Sequence, residues 1–155
     1  MSRTPITREG YNQLHKELDN LKKVVRPQVI KAIEEARAHG DLSENAEYEA
    51  AKERQSFVEK KIREIEQKLA GSEIIENINL PEGKIGFGSL VTLENHGSGN
   101  EVTYQIVGPD ESDISAGKIS ITSPLGKALI GKEIDEEVKV QAPGGIKTYT
   151  ILNIS

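Results

Sequence analysis

The apolar positions of this chain change period once, near residue 72. Before that point they run Tyr11, Leu14, Leu18, Leu21 and Val25, in steps of three and four. This is the seam of a coiled coil. It continues less strictly through Val29, Ile33 and Ala36. A second run, Ala51, Gln55, Val58, Ile62, Ile65 and Leu69, alternates steps of four and three, and Gly71 follows as a stop. Thr7 is the N-cap candidate of the first helix, with Gly10 an unfavourable third helical residue. Each helix has about 30 residues, hence a length of roughly 45 Å. Pro27 lies inside the first. It removes a helical hydrogen bond and crowds the carbonyl four residues back, so a kink or break is expected near Val25 and Arg26.

A short polar stretch, His39–Tyr48 (HGDLSENAEY), separates the two runs. Helices joined this closely pack as antiparallel neighbours. The register then sets Ala36 near Glu47, Ile33 near Ala51, Val29 near Gln55, Val25 near Val58 and Leu18 near Ile65. Side chains shrink toward the tip, which makes a slender end to a projecting arm.

After Ser72 the period falls to two. Ser89–Asn95, Glu101–Val107, Lys118–Ile121, Glu137–Gln141 and Lys147–Ile154 read as strands rich in Val, Ile, Thr and Tyr. Residues 96–100, 108–110 and 143–145 mark turns. One short helix fits Ser123–Ile130, with Ser123 as N-cap and Pro124 at the first helical position. Residues 74–78 are expected to add an edge strand. The fold class is therefore α+β in two domains: residues 1–75, a long antiparallel α-helical coiled-coil hairpin, and residues 76–155, a twisted antiparallel sheet against one helix.

Composition narrows the classes. Aromatic residues make up only 4% of the 155, with no Trp, so one thick core is not expected. There is no cysteine, which excludes disulfides and thiolate metal sites. No apolar run approaches membrane-spanning length, and the expectation is a soluble cytoplasmic protein without a membrane partner. Residues 1–75 hold 14 Lys and Arg against 14 Asp and Glu, a balance of zero. Residues 76–155 hold the remaining 6 against 11, which supplies the whole net charge of -5. Bulk charge therefore does not recruit nucleic acid.

The chemistry concentrates at 39–48. Asp41 and Glu44 stand three apart at the start of the second helix. That spacing reads as a capping-box-like pattern, with Ser43 a competing cap and the acids complementing the helix dipole. The same physics also admits a second reading, a pair of ionised carboxylates on one side of a helix start, suited to a hard cation. Two carboxylates do not make a magnesium cage, because Mg²⁺ keeps waters and shares protein carboxylates with substrate. They could complete a site supplied by another molecule. Glu47 lies a turn further on, and Tyr48 is expected to pack. Arg37 and Lys52 flank the tip on opposite helices. They could contact a phosphate backbone or join a solvated face with Glu34 and Glu49. Residues 126–133 imitate a phosphate loop, but Glu133 replaces the required Ser or Thr. His15, His39 and His96 show no ligand spacing.

The stretch Glu35–Tyr48 (EARAHGDLSENAEY) closely resembles the tip signature of the bacterial Gre transcript-cleavage and transcription elongation factors, most closely the GreA branch. The resemblance extends to Ile6–Gly10, Arg26–Pro27, Ile106–Gly108, Ser123–Pro124, Leu129–Lys132 and Pro143–Gly145. It implies a coiled coil that passes down the secondary channel of bacterial RNA polymerase. It also implies an FKBP-like C-terminal domain that docks at the channel mouth. Asp41 and Glu44 would then act as the catalytic carboxylates, holding a Mg²⁺ shared with the polymerase active site. Arg37 and Lys52 would face the nascent RNA 3′ end. The factor would be no enzyme of its own, with no cofactor of its own, a monomer when free, and with DNA-binding among the expected properties. The basic patch is sparse, which fits cleavage of short fragments. Competing classes are an inhibitor in the same channel, a prolyl isomerase and a coiled-coil interaction module without chemistry. The isomerase class needs an aromatic-lined pocket, and residues 76–155 offer only Phe87, Tyr104 and Tyr149.

Overall fold

Thr7 opens the first helix as its chemistry predicts. Its Oγ1 accepts the Gly10 N–H at 3.0 Å, and helix α1 (Arg8–Asn20) follows in this computed structural model. The structure describes residues 3–39, 46–76 and 83–155. The chain divides into two compact units, Tyr11–Gly71 and Met1–Gly10 with Ser72–Ser155. The first ten residues, expected in the helical domain 1–75, thus group with the sheet. Two features that local patterning did not reveal account for this: the Thr7 N–H donates to Glu111 at 2.8 Å, and the segment before it forms a parallel two-stranded ladder. Strand β1 (Thr4–Ile6) pairs with β2 (Ser72–Ile74), Thr4 opposite Ser72. The edge strand expected over 74–78 is therefore β2, shifted to 72–74, and it pairs with β1 rather than with the larger sheet.

In the helical unit, α1 runs into a π-helical turn, Leu21–Val25, and then into α2 (Arg26–Arg37). The turn closes with the Arg26 N–H donating to the Leu21 carbonyl. This is the expected break before Pro27, and its form has a second cause. The apolar positions Leu21, Val25, Val29 and Ile33 are spaced by four three times over. Each such step overshoots an α-helical turn by about 0.4 residue, so three accumulate roughly 120° of drift. A wider turn takes up that drift and keeps the seam facing inward. Helix α3 (Ala46–Ala70) lies alongside. Ion pairs join Arg26 to Glu59 and Lys22 to Glu66, and His39 Nδ1 lies 3.4 Å from Glu47 Oε2, so the helices run antiparallel. Leu18, Val29, Ile33, Ala51, Val58, Ile62 and Ile65 form the buried seam.

In the sheet unit, β3 (Leu90–Asn95), β4 (Glu101–Val107), β5 (Lys118–Ser120), β6 (Glu137–Ala142) and β7 (Gly145–Ile154) form one sheet in the order β5-β4-β3-β7-β6. All five were expected as antiparallel partners, and four of them are. The exception is β5, which pairs parallel to β4 through Ile106 and Ile119, so the sheet is mixed. The register of β3 on β7 shifts between Thr92 and Leu93, a bulge that bends the strand pair. Val91, Leu93, Ile106, Ile119, Val138 and Ile151 alternate into the core, where helix α4 (Pro124–Leu129) covers them with Leu129. Ser123 caps α4 by accepting the Gly126 N–H at 3.0 Å. Gly126 itself has a packing role. A Cβ there would stand 2.1 Å from the Ser120 carbonyl oxygen. The glycine of the phosphate-loop imitation is thus spent on bringing α4 against the chain before it.

Candidate functional site

Helix α2 ends at Arg37, where the Ala38 N–H still reaches the Glu34 carbonyl at 3.1 Å. His39 closes the end with its N–H on the Ala36 carbonyl at 3.2 Å. Opposite, α3 begins at Ala46 with Glu47 and Glu49 in its first turn. His39 Nδ1 lies 3.4 Å from Glu47 Oε2, so the two helix ends stand within one ion pair of each other when His39 is protonated. The chain between them is 40–45, and Asp41 and Glu44 lie in it, outside the described residues. Glu47, the weaker ligand candidate, is engaged by His39. Tyr48 is half-buried and packs against the seam, as expected. Ala36 and Ala51 are the buried side chains nearest this end, and their small size lets the helices come close.

Arg37 and Lys52 come together. They line one groove of about 230 Å³ with Ile30, Ile33, Tyr48 and Gln55. Glu34 lines it too. Both cations are exposed, and neither forms an ion pair among the described residues. With Glu34 and Glu49 also exposed, the solvated face and a phosphate-contacting surface both remain open for these two cations. The groove combines two cations with an aromatic ring edge, a mix suited to an anionic ligand.

Behind this end the pair of helices is cross-braced. Arg26 donates through Nε and a terminal nitrogen to both oxygens of Glu59, each at 2.8 Å. This fork geometry is the strong form of a carboxylate pair. Its hydrogen bond holds the Glu59 carboxyl below the usual carboxylate range and raises Arg26 in return, against the desolvation of both. Lys61 lies 3.9 Å from Glu17 further along. Among the described residues, no group of three His, Asp or Glu converges on a metal position.

The acidic turn at 110–113, which could have been a docking feature, is largely consumed by the fold. Glu111 accepts the N–H of Thr7 at 2.8 Å, the N–H of Gly108 at 2.9 Å and the hydroxyl of Thr7. Asp113 accepts the Ser115 hydroxyl at 2.6 Å and its N–H at 3.1 Å, which lowers the Asp113 carboxyl from its usual value. What sequence reasoning missed is an apolar cleft of about 340 Å³ in the sheet unit. Tyr104, Ile114, Ile119, Leu125, Val140 and Pro143 line it, and Ile114 is 73% exposed. Phe87 and Tyr149 are buried elsewhere, which leaves Tyr104 as the aromatic residue of the cleft. The one local signal was Ile114, an isolated large apolar residue in a polar turn.

Residues 4–74 match the family model described as transcription elongation factor, N-terminal, and residues 80–155 match the GreA/GreB C-terminal model. The chain belongs to the GreA/GreB family of transcription elongation factors. It is 55% identical over 155 residues to the transcription elongation factor GreA of Neisseria meningitidis serogroup A, covering 99% of this chain and 98% of that one. It is 54% identical to transcription elongation factor GreA of Methylococcus capsulatus, with the same coverage. Among solved structures, GreA factor homolog 1 of Thermus thermophilus aligns over 99% of both chains at 28% identity, with a TM-score of 0.45.

Proposed function

We propose that this protein enters the secondary channel of bacterial RNA polymerase and stimulates the polymerase's own cleavage of backtracked nascent RNA. The observation that carries the reading is the meeting of the two helix ends. The His39–Glu47 pair brackets the segment bearing Asp41 and Glu44, while Arg37 and Lys52, without an ion pair among the described residues, share the adjacent groove. In this reading the helical unit is a coiled-coil hairpin arm. Its carboxylates are oxygen donors, the chemistry that Mg²⁺ accepts, and two of them leave most coordination positions to the polymerase and water. Such an ion, shared with the polymerase, positions and activates the attacking water in phosphodiester hydrolysis. The role of Asp41 and Glu44 is to add negative oxygen ligands at a site built by another protein. Arg37 and Lys52 hold the RNA 3′ end by its phosphates. The sheet unit, read as FKBP-like, docks on the polymerase through its apolar cleft. With one aromatic residue in that cleft, the unit serves binding rather than prolyl isomerisation.

The test is transcript cleavage in stalled, backtracked elongation complexes with and without the protein. Stimulation is expected from the native chain. Asp41→Asn and Glu44→Gln are expected to bind polymerase normally and to lose nearly all stimulation. Full activity in both variants, or inhibition by the native chain, refutes the proposal.

A further inference from the structure

Residues 127–132, from α4 into the turn that follows, border the start of β6 across a groove of about 330 Å³. Residues 76–155 contain six basic side chains, Lys84, Lys118, Lys127, Lys132, Lys139 and Lys147. Three of the six, Lys127, Lys132 and Lys139, line this groove. None of the three forms an ion pair among the described residues. The single carboxylate lining it, Glu137, has its Oε1 at 4.0 Å from His96 Nε2. Glu133 and Glu136 follow in sequence but do not line the groove, and the Glu136 carboxylate accepts the Glu133 N–H at 2.6 Å. The floor is apolar. Val138 is buried and Ala128 packs on the core, while Ile130 stays 37% exposed. β6 is also the last strand of its sheet, so its outer backbone edge has no strand partner among the described residues.

We infer that this groove binds an acidic polypeptide segment carrying at least one apolar side chain. Three unpaired ammonium groups around an apolar floor attract carboxylates and reward an apolar contact together. The open edge of β6 offers backbone partners to an extended chain. Nucleic acid fits less well. The groove has no Arg for a bidentate phosphate contact and no aromatic ring for base stacking. The groove shares no residue with the apolar cleft, and the inference does not depend on the cleavage reading.

The experiment is an NMR titration of the full-length ¹⁵N-labelled chain with a synthetic ten-residue peptide of Glu with one Leu and one Phe. A ten-nucleotide single-stranded DNA is titrated in parallel. The peptide is expected to shift the backbone amides of 127–139, and Lys127→Gln/Lys132→Gln/Lys139→Gln is expected to weaken it at least tenfold. The three side chains have no ion pair to lose among the described residues, so the variant should melt with the native chain. If it does not fold, the single Lys139→Glu supplies the same comparison. Absence of shifts in 127–139 at millimolar peptide, binding undiminished in the variant, or tighter binding of the DNA at the same amides overturns the inference.

Discussion

Gly10 is a poor helix residue in the first turn of α1, and Glu111 explains why it is there. A Cβ on residue 10 would stand 2.1 Å from Glu111 Oε1 and 2.6 Å from its carboxyl carbon. Gly10→Ala must therefore push the carboxylate off its donors, the N–H and hydroxyl of Thr7 and the N–H of Gly108. Losing two of these contacts to a charged acceptor costs about 3 kcal/mol, at about 1.5 each. Alanine returns about 1 kcal/mol of helix propensity, leaving a net loss of about 2 kcal/mol. In a Glu111→Ala background the obstacle is gone and only the propensity remains. There Gly10→Ala is expected to stabilise by about 1 kcal/mol, so the sign reverses and the coupling between positions is about 3 kcal/mol. Urea denaturation followed by circular dichroism on the two single variants, the double variant and the native chain closes the cycle. A Gly10→Ala penalty of the same size in both backgrounds refutes the assigned clash.

Three other predictions concern the helical unit and the groove at its end. Ile62→Ala, at a side chain only 2% exposed, is expected to destabilise this unit by about 3 kcal/mol in chemical denaturation. The Glu59 carboxyl is depressed by its bond to Arg26, so the pair stabilises above the usual carboxylate range and loses that contribution as pH falls through the depressed value. The stability difference between the native chain and Glu59→Gln is accordingly expected to be full at neutral pH and to vanish in strong acid, as read by melting curves across pH. Arg37→Ala with Lys52→Ala is expected to raise the factor concentration needed for half-maximal transcript cleavage by roughly tenfold, about 1.4 kcal/mol for two exposed phosphate contacts, with a weaker salt dependence than the native chain.

The helical seam was legible because its evidence is local and periodic. Val29, Ile33, Ala51, Val58, Ile62 and Ile65 are all buried, as their spacing demanded. The caps at Thr7 and Ser123 were legible for the same reason, since a cap is a side chain speaking to a backbone group three residues away. The π turn was half legible. Pro27 located it, but the repeated spacing of four that determines its form was passed over as a loosened pattern. The β1–β2 ladder was not legible. Three-residue strands show no alternation, and the partners sit 68 positions apart in sequence, Thr4 with Ser72. The parallel pairing of β5 has the same origin, because direction depends on the 3₁₀ turns at Pro109–Glu111 and Ile114–Ala116 that connect it to β4. The apolar cleft gathers residues from 104 to 143, none of which carries a motif. At the other extreme, residue type and spacing single out Asp41 and Glu44 as a carboxylate pair, but leave helix capping and metal ligation both open, and only the family resemblance chooses between them.

What separates those two carboxylates from the rest is what their neighbours leave for them. Along the helix pair, Glu17, Glu59 and Glu66 face Lys61, Arg26 and Lys22, and Glu47 faces His39. In the sheet unit, Glu111, Asp113 and Glu136 take backbone N–H groups. Residues 40–45 contain two acids and no Lys, Arg or His. The nearest cation that follows in sequence, Lys52, lines a groove with Arg37, and the imidazole of His39, which precedes, lies 3.4 Å from Glu47. Charge that a chain does not neutralise within a segment must be hydrated or met by another molecule, and hydration is lost in a narrow protein channel. A segment of this composition is therefore unfavourable inside another protein unless that protein supplies a cation. Under the proposed function, the same imbalance would penalise insertion into an arbitrary cavity and favour one holding an incompletely ligated Mg²⁺, so that Asp41 and Glu44 would supply specificity as well as chemistry.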